Sequence, residues 1–546
     1  MIVMKFLLFN FFQFVLLSCF GQQKIDLLIY NAKVYTVDNN FSIKEALAIN
    51  NEKIIETGTT KDLLKKYYAN KKIDASGKFV YPGLIDAHAH FVEYGLSLQK
   101  ADLVGTNNWD EVIEKLKSFS EKNKSGWLLG EGWDQNDWRV KNFPNNEKLN
   151  ELFPDRPVVL SRVDGHAVIA NKKALDISGI SPGDTISGGE IETINGQLTG
   201  ILVDNATELV YRNIPSPSSG QYKDALLNAQ GNCFAAGLTT VADCGLNYRL
   251  MLFIDSLQKS NQLKMKMYIM LSDAKENYNY LFSKGKIKTS RLSVCGFKVY
   301  ADGALGSRGA CLLQPYSDKP GWSGFLLSSQ EHFDSVANII AKHGFQMCTH
   351  AIGDSGNRVM LKVYAKYLKG KNDLRWHIEH AQVINKDDFH LFGDYSIIPS
   401  VQPTHATSDM YWAGDRLGKE RLKYAYAYND LLKQNGWIPL GTDFPVEDIS
   451  PIKTFYAAVF RKDAKGWPED GFQMENALSR ENALRGMTIW AAKSNFEENE
   501  KGSLEKGKFA DFIITDTDLM KAVAKDILNT QILMTFVNGG KVFEKK

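Results

Sequence analysis

From Ile25 the chain alternates apolar and polar positions with a period of two, through Ile25 to Val37, Ala46 to Ile49 and Lys53 to Thr57. Short alternating runs separated by Asn, Asp and Gly predict strands of a half-buried sheet. The same texture returns in Ala510 to Thr515 and in Ile532 to Phe543, where Asn538-Gly539-Gly540 supplies a hairpin turn. Two β-rich ends around a long middle predict one composite β-sandwich built from residues 22–80 and 496–546.

The middle changes period. Apolar, β-branched-rich runs fall at Gly83 to Asp86, Leu238 to Ala242, Lys266 to Leu271, Gly296 to Tyr300, Gln346 to Thr349, Trp376 to Glu379, Ile397 to Val401 and Trp437 to Gly441, with helical patterns between most of them. Most intervals from the second run to the sixth are roughly 30 residues, the length of a βα unit, which predicts an α/β (β/α)₈ barrel over residues 81–495. The stretch from 87 to 237 is far longer than one crossover helix needs. An insertion at about 100–230 is therefore expected, holding a helix over Trp109 to Lys122 and a hairpin at Asn195-Gly196, and capping the barrel mouth.

Residues 1–21 carry a single charge, Lys5, and then the apolar run Phe6 to Leu17, which is too short to span a bilayer. This reads as a secretory signal peptide and predicts an exported protein, periplasmic or extracellular, with no transmembrane segment in the mature chain. Leu16-Leu17-Ser18-Cys19 also resembles a lipobox, which would anchor the protein by lipid at Cys19. The other five Cys lack paired short spacing and sit mostly in apolar runs, so buried free thiols are expected rather than disulfides or thiolate metal sites. With 65 Lys+Arg against 63 Asp+Glu and no basic stripe, nucleic acid is excluded as a partner. The oligomeric state is not legible.

The chemistry sits at the predicted strand ends. His88 and His90 follow the first strand at a spacing of two, so both leave the same face of an extended segment and form a natural chelate for a cation such as zinc. Lys298 lies in the fourth strand, His350 ends the fifth, His380 the sixth, and Asp443 the eighth. Ionisable residues at the C-terminal ends of barrel strands share one mouth. A buried Lys beside cations is expected to have a lowered pKa, and its neutral amine can take up carbon dioxide to give a carbamate with two metal-binding oxygens. Asp443 is suited to bind an ion and to carry a proton between attacking water and leaving group.

Taken in order, "PGLIDAHAHF", "FKVYADGALGSR", "THAIGD", "HIEHAQ", "QPTHATSD", "GTDFPVE" and "GSLEKGKFADFII" resemble the amidohydrolase superfamily, in its amidohydrolase-3 branch that includes N-substituted formamide deformylases. The resemblance runs from about Asp26 to Val542. It implies a distorted barrel with a composite β-sandwich. It also implies one or two divalent ions, zinc above all: His88, His90 and Asp443 on the first, His350 and His380 on the second, and carboxylated Lys298 bridging. His380 is chosen over His377 because the ligand of the branch follows the Glu; His377 stands where Arg is more usual, and its role is open. "GWDQNDW" and "DGHAVIAN" are further branch-like motifs within the insertion. His166, Asp302, Arg308 and His405 are then candidates for contact with substrate, and His166 or His405 for a hydrogen bond to an oxyanion. Trp133 and Trp138 are equally suited to a core.

The expected reaction is hydrolysis of a C–N bond, amide or formamide, in a small molecule by metal-activated hydroxide, with Asp443 as proton shuttle. Two alternatives stay open at this point: a lyase or isomerase on the same centre, and a non-catalytic barrel that binds a small molecule. A serine hydrolase reading falls away because no Gly-x-Ser-x-Gly elbow stands at a strand-to-helix turn, and the Gly-rich stretch at Gly303 to Gly309 lacks the Gly-Lys-Ser/Thr ending of a phosphate loop.

Overall fold

A computed structural model describes residues 22–124 and 126–546. The signal-peptide reading and the lipid-anchor reading of Cys19 fall outside the described residues. Among the described residues no helix is long and apolar enough to cross a membrane. The cysteines at 233, 244, 295, 311 and 348 are all free, and all but Cys311 are fully buried.

Seven parallel strands form a nearly closed barrel: Leu84–Ala89, Leu238–Leu246, Lys266–Ser272, Leu292–Tyr300, Gln346–Ala351, His377–His380 and Ile398–Ser400. They are buried on both faces, as parallel strands under covering helices must be, which is why the sequence shows them as continuous apolar runs. Helices such as Tyr248–Lys259, Gln330–His343 and Asp354–Leu368 fill the intervals. Two of these begin at side-chain caps, Asn247 accepting from Leu250 N–H and Ser329 from His332 N–H.

The predicted eighth strand, Trp437 to Gly441, does not form a ladder. Its one parallel bridge joins Val401 to Leu440. Pro439 offers no N–H, which thins the pairing, and the segment closes the gap by other means. The Leu440 carbonyl accepts from Ala87 N–H at 3.2 Å, and Asp443 N–H donates to the His88 carbonyl at 2.8 Å. Asp86 fastens the seam: its Oδ1 accepts from the N–H groups of His88 and Thr442, and its Oδ2 from the Thr442 hydroxyl at 2.7 Å.

Gly441 lies at this seam without room for a side chain. A Cβ there would stand 2.6 Å from His88 N and 2.8 Å from Asp86 Oδ1. Gly441→Ala is expected to destabilise the fold by about 1 to 3 kcal/mol, the usual range for overpacking a rigid contact, measured as a lowered denaturation midpoint.

The insertion carries a six-stranded sheet running from Ala101–Asp102 to Gln197–Asp204, and the predicted helix Trp109–Lys122. The hairpin of Gly189–Ile194 and Gln197–Asp204 turns at Asn195-Gly196 as read from the sequence. Trp133 and Trp138 are core residues of this unit. It reaches the barrel loops through Arg416, which donates to Asn136 Oδ1 at 2.8 Å, and through Asn205, which donates to the Leu327 carbonyl at 3.2 Å.

At the other side, one six-stranded sheet draws Lys33–Tyr35, Ile43–Lys44 and Phe79–Pro82 from the early chain and Phe512–Thr515, Ile532–Val537 and Gly540–Glu544 from the late chain. Asp518 joins the two, accepting from Lys33 Nζ at 2.6 Å and from the Tyr35 hydroxyl at 2.8 Å. A separate four-stranded sheet is made from residues 23–74 alone.

Candidate metal centre

The strand ends bring together the residues singled out in the sequence. His88 is fully buried; its Nδ1 meets Glu379 Oε2 at 2.6 Å, and its Nε2 lies 3.1 Å from Lys298 Nζ and 3.4 Å from Asp443 Oδ1. His90 Nε2 stands 3.3 Å from the same Asp443 oxygen. The His380 ring lies 4.7 Å from the His88 ring and 4.6 Å from the His350 ring. Adjacent pairing of Tyr300 with His350, and of Lys298 with Cys348, sets the fourth and fifth strands so that these rings share the mouth.

Two of these residues occupy backbone conformations that side chains other than glycine rarely adopt: φ is 71° at His380 and 65° at Asp443. Such strain persists only where the surroundings over-determine it, and it is concentrated at functional sites.

Three of the imidazoles are held neutral, as a cation would need, whereas Asp443 draws the His90 pKa upward and, with Glu447, that of His405. Burial pushes the His350 and His380 imidazoles well below their usual range, with neighbouring His residues adding to the effect. His88 is lowered by burial and by Lys298. All three therefore offer neutral lone pairs at neutral pH. Burial alone would raise the Asp443 carboxyl, yet His88, His405 and His90 hold it well below the carboxylate range. Glu379 is held down in the same way by His88 and His377.

The Lys298 amine departs from expectation. Burial lowers its pKa, but Cys244, Tyr300, Glu379 and Asp443 outweigh it and the net shift is upward. Cys244 and Tyr300 are themselves pushed up by burial, Tyr300 to about 12, and carry no charge near neutrality. The acting counter-charges are Glu379 and Asp443, so a lowered amine pKa here requires cations to offset them.

Within the histidine cluster, Asp443 Oδ1 and His350 Nε2 are buried without a hydrogen-bond partner among the described residues. Leaving such groups unpaired is costly unless something else meets them. His88, His90 and Asp443 present donor atoms all within 4.8 Å of one another, as do His380, His405 and Asp443. The 3.3 and 3.4 Å separations around Asp443 Oδ1 match the ligand-to-ligand edge of about 3.3 Å that tetrahedral zinc bonds of about 2.05 Å imply. The residues fit a divalent ion.

His405 turns out to be tied to the centre, its Nε2 3.2 Å from Asp443 Oδ2 and its Nδ1 3.2 Å from Glu447 Oε1. His166 comes from the insertion to stand 5.1 Å, ring to ring, from His350. Two other candidates for substrate contact have different tasks. Asp302 is fully buried and accepts from the N–H groups of Cys311, Ile352 and Gly353, fixing the loop beyond the fifth strand. Arg308 pairs with Asp318 and is not brought into the histidine cluster.

Several contributors were missed in the sequence. Glu379 holds His88 on one oxygen and His377 Nδ1 on the other, at 2.6 and 3.0 Å, which gives His377 a place behind the centre. Gln402 Oε1 meets His380 Nδ1 at 2.8 Å. Glu379 could have been found from its own motif, where it stands between the two His residues of "HIEH".

Asp409 illustrates the pH sensitivity of this mouth. Burial pushes its carboxyl up to about 7, and Tyr426 and Gln382 donate to it. Between about pH 4, where the unfolded carboxyl releases its proton, and pH 7 the folded form binds the proton more tightly. The contribution of Asp409 to stability therefore falls as pH rises through that window and is level above it. Asp409→Asn keeps the acceptor oxygen and removes this slope, so its stability relative to wild type is expected to rise from pH 5 to pH 8 in urea titrations.

Buried imidazoles and carboxylates gathered over the C-terminal ends of parallel barrel strands fit a metal-dependent hydrolase. The profile described as the Amidohydrolase family matches residues 71–543, and the chain belongs to that family. Protein LONG AFTER FAR-RED 3 of Arabidopsis thaliana is 32% identical over 95% of this chain and 91% of its own length. The N-substituted formamide deformylase of Arthrobacter pascens is 26% identical over 96% of this chain and 99% of its own. Among solved structures, an uncharacterized metal-dependent hydrolase from Pyrococcus horikoshii OT3 superposes with a TM-score of 0.75 at 28% identity, covering 91% of this chain and 99% of that one.

Proposed function

We propose that this protein hydrolyses a C–N bond, amide or formamide, of a small molecule, using a zinc-type centre on a distorted (β/α)₈ barrel with a composite β-sandwich. The observation that carries the reading is Asp443, one oxygen buried without a partner between His88 and His90, the other held by His405. The deformylase relative supports the choice of bond. The signal-peptide reading of residues 1–21 belongs to the same proposal and puts the reaction outside the cytoplasm.

His88, His90 and Asp443 would hold one ion and His350 and His380 a second, with Lys298, once its amine has added carbon dioxide and lost a proton, as the bridging carbamate. Ions of this kind supply Lewis acidity toward a carbonyl oxygen and water acidified to near neutrality. Glu379 and Gln402 orient the rings of His88 and His380. Asp443 takes the proton of the water that adds to the carbonyl carbon and returns it to nitrogen as the C–N bond breaks. The products are a carboxylic acid, or formic acid, and an amine.

The test is incubation of the metal-replete protein with a panel of N-formyl and N-acyl amines in heavy-oxygen water. Free amine and one solvent oxygen in the released acid are expected. Turnover without incorporated oxygen would indicate a lyase or isomerase, and tight binding without turnover a binding barrel.

A further inference from the structure

The insertion delivers a carboxylate as well as an imidazole. His166 Nδ1 lies 2.6 Å from Asp204 Oδ1, and Asp204 N–H donates to the His166 carbonyl at 2.8 Å, so side chain and backbone bind the pair twice. With Nδ1 committed, Nε2 makes no hydrogen bond to another described residue, and the ring faces His350 across the mouth.

Asp204 is held at a cost. Its side chain is fully buried and Oδ2 has no partner. Its backbone lies at φ 51° and ψ −124°, a region that only glycine adopts freely. The loop that follows the Lys298 strand makes room for it: a Cβ on Gly303 would lie 2.5 Å from Asp204 Oδ2, and one on Gly309 2.1 Å. A half-satisfied buried carboxylate in a strained backbone lowers stability, and violations of this kind are characteristic of functional positions.

We propose that Asp204 is a positioning residue: it fixes His166 through Nδ1 so that Nε2 is the atom the insertion presents to the polar group of the substrate beside His350. Seating Asp204 between Gly303 and Gly309 makes this atom available only when the insertion is docked on the loop after the fourth strand. The inference rests on the hydrolase reading above. The carboxylate sets ring orientation and tautomer, as carboxylates bound to imidazoles generally do.

The experiment compares Asp204→Ala, His166→Ala, the double variant and Asp204→Asn in the metal-replete full chain, on an N-formyl amine turned over by wild type. Each Ala variant is expected to lose about 100-fold in kcat, with KM and metal content close to wild type. The double variant is expected to lose no more than either single one, because both act through the same ring. Asp204→Asn, which keeps an acceptor of the same shape, restores most of the rate, and added imidazole partly restores His166→Ala. Unchanged kcat in the single variants, or losses that multiply in the double, would overturn the proposal. If wild type turns over none of the panel, the hydrolase reading fails separately. Long-range proton–nitrogen spectra of histidine-labelled protein then decide, recorded above the pKa of about 8 to which Asp204 draws His166: the proton of the neutral ring is expected on Nδ1 in wild type and redistributed in Asp204→Ala, and an unchanged pattern refutes the positioning role.

Discussion

Asp443→Asn is expected to lower kcat by about 10²- to 10⁴-fold, the range of a lost acid–base group, while the protein keeps most of its bound metal. The Asn side chain preserves the shape between His88, His90 and His405, and its carbonyl oxygen still faces the first two. What it lacks is the ability to take up a proton. The carboxyl is held well below its usual range by His88, His405 and His90, which keeps it ionised near neutrality. Rate and elemental analysis on one preparation check this. Full turnover by a metal-loaded Asn variant would remove Asp443 from the proton path.

Lys298→Met is expected to reduce bound metal from about two ions per chain to one or none and to lower kcat by about 10³-fold or more, as loss of a bridging ligand and its Lewis acid implies. Methionine conserves most of the buried volume, which separates loss of chemistry from a cavity effect. Lys298 is fully buried, with its amine 3.1 Å from His88 Nε2 and its pKa raised in the metal-free arrangement. Carbamate formation therefore needs cations, and metal uptake by wild type is expected to quicken with added bicarbonate whereas uptake by the Met variant does not. An unaltered ion count in Lys298→Met would make Lys298 a charge partner of Glu379 and Asp443 rather than a ligand.

The residues that were legible in the sequence share a property: each lies at or just after the predicted end of a barrel strand. His88, His90, His350, His380 and Asp443 could be placed because a parallel barrel sends all its strand ends to one mouth, and that geometry is inherited from the pattern of apolar runs. Their supports could not be read in this way. Glu379 reaches His88 from 291 positions away, Glu447 reaches His405 from 42, and Asp204 reaches His166 from 38. Only the closed fold creates those pairs. The eighth strand was misread for a local reason, since Trp437 to Gly441 has strand-like apolarity while Pro439 and the tight passage at Gly441 prevent a ladder. The loop-fixing bonds of Asp302 and the ion pair of Arg308 were not legible, because their partners Gly353 and Asp318 are invisible to a motif.

The sheet shared between the two ends of the chain has a consequence for biosynthesis. Tyr81, in the strand that leads directly into the barrel, finds Asp518 at a sequence separation of 437, and Lys33 finds it at 485. On a ribosome the early strands wait, edges bare, until nearly the whole polypeptide has emerged. Pairing over such separations is slow, and exposed edges invite other chains. A messenger truncated shortly before codon 512 would yield a chain with every residue of the candidate metal centre present but the strand at Phe79–Pro82 paired only with Lys33–Tyr35 and bare on its other edge.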